Sequence, residues 1–373
     1  MEFYYAWVFY IWGVLVQKKI NIGLLTILVL LGTIMFWLSS SFPIGMDEYV
    51  FYRLSDGLPN YSTSPDWIYV DNTDVLCPTD PRGSERIHEV VIGTYTTPIY
   101  PHTPLVPAIM WPAVKLFGDG EYVSAEGVTA LRTITIILSL LTFYVLFLVV
   151  QRRIGGNALL FAFPVMIASR TLPGAIWIYW EVFMMFFFAI TLYLLETHKG
   201  PKWLPFVTAC VLVNTKLFLG VLFLLPLVLK DKRLILCVLS LIPWWTVAWI
   251  VTGDPIYFIH FYLGQVGFHD EIYTRLTWWL TVWRTDFILF FVVTLGSVLL
   301  IRRYPTFILF YIATIVYGFG TGLGMNHLSA ILYGGAVAFP LLADKLLRRV
   351  YTPTCPVCKQ SRLSGEEYAI QCC

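Results

Sequence analysis

Two adjacent carboxylates, Asp47 and Glu48, stand near the start of the longest polar stretch of the sequence, which runs from Pro43 to Gly120. They follow an apolar run that ends near Leu38. A carboxylate at the mouth of a membrane helix is costly to keep there, which makes it a candidate functional group. Such an acid could orient an acceptor hydroxyl and remove its proton as the oxygen attacks. A solvated loop carboxylate that only ends the span is the alternative interpretation.

Two further charged residues lie inside apolar runs. Glu181 is flanked by Trp, Tyr, Phe and Met, and Lys216 interrupts the run 203–229. Ionisable groups at membrane depth usually face a cavity or a partner. The candidate partners of Glu181 are Arg170, Arg132 and Lys216, and a purely structural ion pair is the alternative to a functional role. Lys216 could bind a lipid phosphate in a cavity, or its side chain could reach along the helix to the membrane surface.

The histidines and cysteines give weaker signals. His102 lies between two prolines and could pair with a phosphate or cap the following helix, whereas His260 lies in a second polar loop. No histidine spacing in the sequence specifies a metal site. The C-terminus carries four thiols, Cys355, Cys358, Cys372 and Cys373. The first two have zinc-knuckle spacing, but the other two are adjacent, so a structural zinc site and an unliganded or lipidated tail both stay open.

The composition predicts an all-α polytopic membrane protein. The chain has 373 residues, of which 58% are hydrophobic and 13% are charged, against about 25% charged residues in soluble domains. A net charge of +2 gives no indication of nucleic-acid binding. The apolar runs predict about ten transmembrane helices within 21–350. Residues 1–20 form an interfacial or short transmembrane segment, and 351–373 form a cysteine-rich tail.

Basic clusters alternate with loops that lack them, and this pattern predicts the topology. The clusters are Lys18-Lys19, Arg152-Arg153, Lys199 with Lys202, Lys230 with Lys232 and Arg233, Arg302-Arg303 and Arg348-Arg349. The positive-inside rule places all of them, and the C-terminal tail, in the cytoplasm. Loops 43–127 and 252–284 are then extracytoplasmic, and residues 104–117 are typical of an amphipathic helix on the membrane surface. The same parity requires 203–229 to cross twice or re-enter, with Lys216 near its turning point.

The order of these motifs resembles the GT-C superfamily of membrane glycosyltransferases, over roughly residues 21–285. Its members include protein O-mannosyltransferases, lipid A aminoarabinose transferases and dolichol-phosphate-mannose-dependent mannosyltransferases. The residues that carry the resemblance are Met46-Asp47-Glu48-Tyr49, Tyr52, Gly57-Leu-Pro-Asn-Tyr61, His102-Thr-Pro-Leu105, Leu116-Phe-Gly-Asp119, Arg132, Glu181, Thr215-Lys216, Pro243-Trp244 and Gly253-Asp254-Pro255. Thr103 departs from the family, where a proline often stands.

The resemblance implies a GT-C-like bundle and an inverting transfer of a sugar from a polyprenyl phosphate to an acceptor on the extracytoplasmic face. The brevity of the sequence fits a prokaryotic cell membrane. The acceptor would be a glycan, a lipid or a protein. Asp47 would be the general base, and Glu48 would assist in binding the acceptor or a divalent cation. The donor phosphate would contact Lys216, His102 and Arg132. The predicted substrate-binding residues are Glu181, Tyr52, Tyr100 and His260.

Two other classes of function compete with the transferase. A transporter or flippase of lipid-linked sugars would be expected to show repeated halves, and the large acidic loop has no counterpart in the second half of the sequence. A non-catalytic subunit of a glycosylation complex would use the cysteine tail for docking, but it would leave Asp47 and Glu48 unexplained. No nucleotide-binding glycine motif is present in the sequence.

Overall fold

The computed structural model describes residues 25, 26, 28–39, 48, 52, 55, 103–118, 124–155, 180–198, 200–257, 259, 293–320 and 325–351. Every regular element within these ranges is helical. The helices are α1 (Leu28–Ser39), α2 (Leu105–Phe117), α3 (Ala125–Ile154), α4 (Trp180–Thr197), α5 (Leu204–Thr215), α6 (Leu217–Val228), a 3₁₀ helix (Lys232–Leu241), α7 (Ile242–Thr252), α8 (Pro305–Gly320) and α9 (Met325–Tyr351).

Three of the described helical segments are long and apolar enough to cross a membrane. They are Ala125–Ile154, Trp180–Thr197 and Lys232–Thr252, where the 3₁₀ helix continues into α7. Around them α3 packs against α2, α4 and α9, while α8 packs against α6 and α9. The all-helical membrane class is thereby confirmed for the described ranges. The total of about ten spans stays a prediction, and residues 1–20 and the tail beyond Tyr351 lie outside the described residues.

Local sequence signals account for both ends of α3. The Ser124 hydroxyl accepts a hydrogen bond from the Gly127 amide at 3.0 Å, which caps the N-terminus, and Glu126 lies in the first turn near the positive end of the helix dipole. The last turn carries Arg152 and Arg153, and the following Gly155 has φ +82°, a conformation that favours glycine. The helix is 30 residues long, about 45 Å at 1.5 Å per residue.

The run 203–229 folds into two helices that turn back at Lys216. Helices α5 and α6 have 12 residues each, about 18 Å, which is short of the roughly 30 Å of a bilayer's hydrocarbon core. Lys216 breaks the helix with φ −148° and ψ 61°, and the two helices pack against each other. We therefore describe 203–229 as a helical hairpin with Lys216 at its tip; whether it crosses the membrane twice or re-enters stays a prediction.

Ion pairs join the other end of this hairpin to the bundle. Lys230 Nζ, just past α6, lies 2.7 Å from Glu196 Oε1 near the end of α4. Arg153, at the end of α3, also pairs with Glu196. Arg153 and Lys230, which belong to two of the basic clusters, therefore meet at one end of the bundle.

Helix α2 presents apolar residues on two sides. Val106, Met110 and Val114 are buried, and the helix packs against α3. A second set of apolar side chains is exposed: Ile109, Trp111, Leu116 and Phe117. Pro112 lies inside the helix, which nevertheless continues to Phe117. A helix at this position was predicted, and its exposed apolar side chains suit contact with lipid.

Substitution of Gly220 by alanine is expected to destabilise the hairpin by about 1–3 kcal/mol, the usual cost of overpacking. A Cβ at Gly220 would lie 2.6 Å from the Leu212 carbonyl oxygen and 2.8 Å from that of Val213, and backbone cannot move aside cheaply. Thermal unfolding of the purified protein in detergent measures the loss. Gly32→Ala is the control, because its Cβ would meet only the flexible end of Leu140. Equal melting temperatures for Gly220→Ala and the wild type would contradict this packing of the hairpin.

Candidate functional site

Glu48, the second of the adjacent acids, forms a buried two-point ion pair with Arg132 of α3. Arg132 Nε donates to Glu48 Oε1 at 2.8 Å, and Nη2 donates to Oε2 at 2.5 Å. A third donor, Nη1, bonds the Ser39 carbonyl oxygen at the end of α1 at 2.6 Å. Glu48 is fully buried and Arg132 is 5% exposed. The guanidinium therefore ties the segment that carries the acidic pair to α1 and α3.

A second buried cluster joins α4, the tip of the hairpin and α8. Lys216 Nζ lies 2.8 Å from Glu181 Oε1 and 2.7 Å from the Tyr317 hydroxyl oxygen. The Tyr317 hydroxyl donates to the same Glu181 oxygen. Lys216, one of the three cations considered for Glu181, is therefore bonded to it, and Arg170 lies outside the described residues. We call these three side chains the lysine triad.

Thr103 brings the start of α2 to the tip of the hairpin. Its hydroxyl donates to the main-chain oxygen of Asn214, two residues before Lys216, and α2 packs against α5. The Asn214 side chain is held by Ser240 Oγ at 2.6 Å. His102 lies outside the described residues, but its neighbour Thr103 is fixed beside the lysine triad. Threonine at this position therefore supplies a hydrogen bond that a proline, which has no side-chain donor, could not form.

Both buried clusters lie toward the end of the bundle opposite the basic clusters. Along α3, Arg132 stands about 30 Å from Arg153, and along α4, Glu181 stands about 22 Å from Glu196. Arg153 and Glu196 form an ion pair with each other. The two sites are also close across the helices, because Trp180 and Phe183 on either side of Glu181 share one apolar cluster with Leu131. Glu48, Arg132, Glu181 and Lys216 thus come from distant sequence positions into one region.

Tyr52 is buried at the junction of α2 and α3. Its hydroxyl lies 3.2 Å from the Ser124 hydroxyl that caps α3, and the residue is 2% exposed. Gly118 and Gly127 lie so close to Tyr52 that a Cβ at either position would overlap its side chain. This arrangement gives the side chain a clear role in fixing the start of α3. A role in substrate binding stays a prediction.

The geometry at Glu48 offers a poor donor set for a divalent cation. Each of its carboxylate oxygens already accepts a hydrogen bond from Arg132, and a guanidinium beside an acid repels a second cation. Among the described ranges no group of three or more His, Cys, Asp or Glu side chains could hold a metal ion.

Several predicted site residues lie outside the described residues. They are Asp47, Tyr100, His102 and His260, together with the cysteines of the tail, Cys355, Cys358, Cys372 and Cys373. Arg170, one of the candidate partners of Glu181, lies outside them too. Their predicted roles remain predictions.

Sequence reasoning missed Tyr317. The residue lies in an apolar helix rich in aromatic residues, where a single tyrosine is no signal by itself. Its side chain is 1% exposed, and buried tyrosine hydroxyls usually find a hydrogen-bond partner. That rule makes every buried tyrosine a candidate partner for a buried charge. Only the tertiary structure shows that Tyr317 is the tyrosine beside Lys216 and Glu181.

No protein-family model matches this sequence, and no curated protein matches it either. The fold is similar to the crystal structure of ArnT from Cupriavidus metallidurans bound to undecaprenyl phosphate, with a TM-score of 0.53 and 15% sequence identity. The similarity covers 88% of this chain and 61% of the ArnT chain, so this chain matches less than two thirds of that protein's length. At this identity the likeness is one of fold alone, and it agrees with the helical architecture and the long apolar helices of this chain.

Proposed function

We propose that this chain is an inverting glycosyltransferase that moves a sugar from a polyprenyl-phosphate donor to an acceptor at the extracytoplasmic face of the membrane. One observation carries the proposal. The segment of the acidic pair, the start of α2 and Lys216 lie in neighbouring regions of the bundle, opposite its basic end, although they are far apart in sequence. The fold shared with ArnT, whose structure contains undecaprenyl phosphate, supports the class of donor.

The chemistry assigned to these residues is an in-line displacement at the anomeric carbon. Asp47 takes the proton of the acceptor hydroxyl as its oxygen bonds to that carbon. The bond from the same carbon to the phosphate oxygen breaks, and the electron pair stays on the departing polyprenyl phosphate. Lys216 and His102 stabilise the negative charge that develops there. Attack from the face opposite the leaving group inverts the configuration.

Arg132 has a second role in this mechanism besides the predicted contact with phosphate. Its hydrogen bonds to Glu48 and to the Ser39 carbonyl fix the residue next to Asp47. A base must stand within hydrogen-bond reach of the hydroxyl it deprotonates, so anchoring its neighbour limits the motion of Asp47. Glu181 contributes by forming an ion pair with Lys216. Its predicted contact with the donor or the acceptor would lie next to this ion pair.

Transfer from radiolabelled undecaprenyl-phosphate sugars in proteoliposomes tests the proposal. The panel contains mannose, glucose and aminoarabinose donors, offered with lipid A, a Ser/Thr-rich peptide or an oligosaccharide. The wild type is expected to label one acceptor, and Asp47→Asn is expected to lower the rate by about 10²–10⁴-fold, the range for general-base catalysis, with donor binding retained.

The matched control for this experiment is Asp231→Asn. Asp231 pairs with Arg233 at 2.7 Å between α6 and the 3₁₀ helix, toward the basic end of the bundle. Its substitution should leave the rate within about twofold, because surface ion pairs contribute little. If no donor and acceptor pair yields product while labelled lipid crosses the bilayer, the protein is a transporter and the proposal is wrong.

A further inference from the structure

We propose that Tyr317 is a positioning residue for Lys216, holding the ammonium where it meets the phosphate of the departing polyprenyl phosphate. This inference rests on the proposed function. Nothing in the sequence motifs assigns a role to Tyr317, which comes from α8, far from the other two members of the lysine triad in the chain. Its hydroxyl contacts both of them.

The triad is a closed set of hydrogen bonds around one carboxylate oxygen. Glu181 Oε1 accepts from both Lys216 Nζ and the Tyr317 hydroxyl, and Lys216 Nζ also donates to the Tyr317 oxygen. A lysine with one partner can pivot about that bond, because its side chain is long and flexible. A second acceptor removes that freedom. An ammonium has three N–H donors, so these two contacts leave capacity for a phosphate oxygen.

Tyr317 can hold Lys216 in position because neighbouring aromatic side chains fix the Tyr317 ring. The ring packs edge-on against Phe223 of α6, with centroids 5.7 Å apart and planes at 61°. Phe223 in turn meets Phe188 of α4 and Phe310 of α8, whose rings stack at 4.0 Å. The three helices that surround the lysine triad are thus joined by aromatic contacts beside it. The ammonium of Lys216 also lies 5.3 Å from the centroid of the Tyr317 ring.

The charge of the leaving group explains why this positioning would matter to chemistry. Glu181 compensates the charge of Lys216, so the triad has little net attraction for a distant anion. A phosphodiester donor carries one negative charge, and the polyprenyl phosphate that departs is a monoester with up to two. The hydrogen bond from the Lys216 ammonium to the phosphate therefore becomes strongest when the sugar leaves and the negative charge on the phosphate increases. If Lys216 is no longer held in position, binding of the product polyprenyl phosphate should weaken and the reaction should slow. Binding of the donor should weaken less.

Tyr317→Phe removes the hydroxyl and keeps the ring. We expect the turnover number to fall about tenfold and the affinity for undecaprenyl phosphate to fall about tenfold, the effect of one hydrogen bond to a charged group. The KM for the labelled donor should stay within about twofold, a split that marks an interaction realised in the transition state. Undecaprenyl phosphate binding is measured directly by quenching of tryptophan fluorescence in nanodiscs, in parallel with transfer assays.

Tyr311→Phe is the matched control. Tyr311 lies on the same helix, is also 1% exposed, and bonds Thr294 Oγ1 at 2.9 Å, away from the triad. The substitution removes a comparable buried hydroxyl. We expect the turnover number and the affinity for undecaprenyl phosphate to stay within about twofold of wild type. Melting temperatures of the two variants check that both are folded.

The possible outcomes separate this inference from the proposed function. If the wild type transfers sugar and Tyr317→Phe behaves like Tyr311→Phe, the positioning role is wrong and the transferase stands. Equal losses in both variants would mean a general packing effect and would also overturn the role. A wild type that binds undecaprenyl phosphate without transfer overturns the proposed function, while the binding comparison still decides whether Tyr317 positions Lys216. A wild type that does neither overturns both.

Discussion

Lys216→Met is expected to lower the rate of sugar transfer by about 10²–10³-fold, the usual loss when a group that stabilises developing charge is removed. Methionine matches the apolar stem of lysine up to the ε carbon but carries no charge and no N–H donor. The substitution also leaves Glu181 buried without the ammonium that lies 2.8 Å away. Transfer assays and thermal unfolding are therefore measured on the same preparation.

The double variant Glu181→Gln/Lys216→Met separates the two roles of the lysine. Because it removes both charges, it should regain most of the stability that Lys216→Met loses, since breaking one side of a buried ion pair costs far more than removing both. Its transfer rate should stay low if Lys216 contacts the donor phosphate. Recovery of activity together with stability would show that the pair is only structural, which was the alternative for Glu181 in the sequence.

Lys230→Met is the control for position. Lys230 is also paired with a glutamate, Glu196, at 2.7 Å, but it is partly exposed and lies at the basic end of the bundle. We expect its transfer rate to stay within about twofold of wild type, because exposed pairs are screened and contribute little. If Lys230→Met lowers the transfer rate as much as Lys216→Met does, the assignment of the lysine triad as the phosphate site is wrong.

Arg132→Met is expected to destabilise the fold by about 3–5 kcal/mol, the cost of leaving one charge of a buried pair uncompensated. Glu48 is fully buried, and both of its oxygens accept hydrogen bonds from Arg132. The same substitution removes the donor that holds the Ser39 carbonyl oxygen at 2.6 Å. Thermal unfolding in detergent, with expression level and monodispersity, measures the effect.

The double-mutant cycle with Glu48→Gln shows how much of that loss comes from the pair. The two substitutions together should cost less than Arg132→Met alone, because no uncompensated charge remains. Arg153→Met is the matched control at the other end of α3. The Arg153 side chain is 38% exposed, and its partner Glu196 keeps Lys230, so we expect a change below about 1 kcal/mol. Additive effects of Glu48→Gln and Arg132→Met would contradict the ion pair.

The helical hairpin 203–229 illustrates a fold feature that the sequence predicted in outline. Basic residues on both sides of 203–229 required its two ends to lie on one side of the membrane. That parity allowed two full crossings or a re-entrant turn. The tertiary structure added the break at Lys216 and the direction of the two helices, since Lys216 lies beside Glu181 at the start of α4 and Lys230 lies beside Glu196 near its end. Turn geometry depends on packing against neighbouring helices, which composition does not describe.

The helical membrane class follows from the sequence alone, since its long uninterrupted apolar runs can satisfy their backbone polar groups in lipid as helices. The charges in apolar runs also mark Glu181 and Lys216 as unusual without any structure. The pairing of the charged residues with one another was visible only in the tertiary structure. Glu48 and Arg132 are separated by 84 positions and Glu181 and Tyr317 by 136. Contacts between such distant residues arise from helix packing, and local patterns in a single sequence carry no information about them.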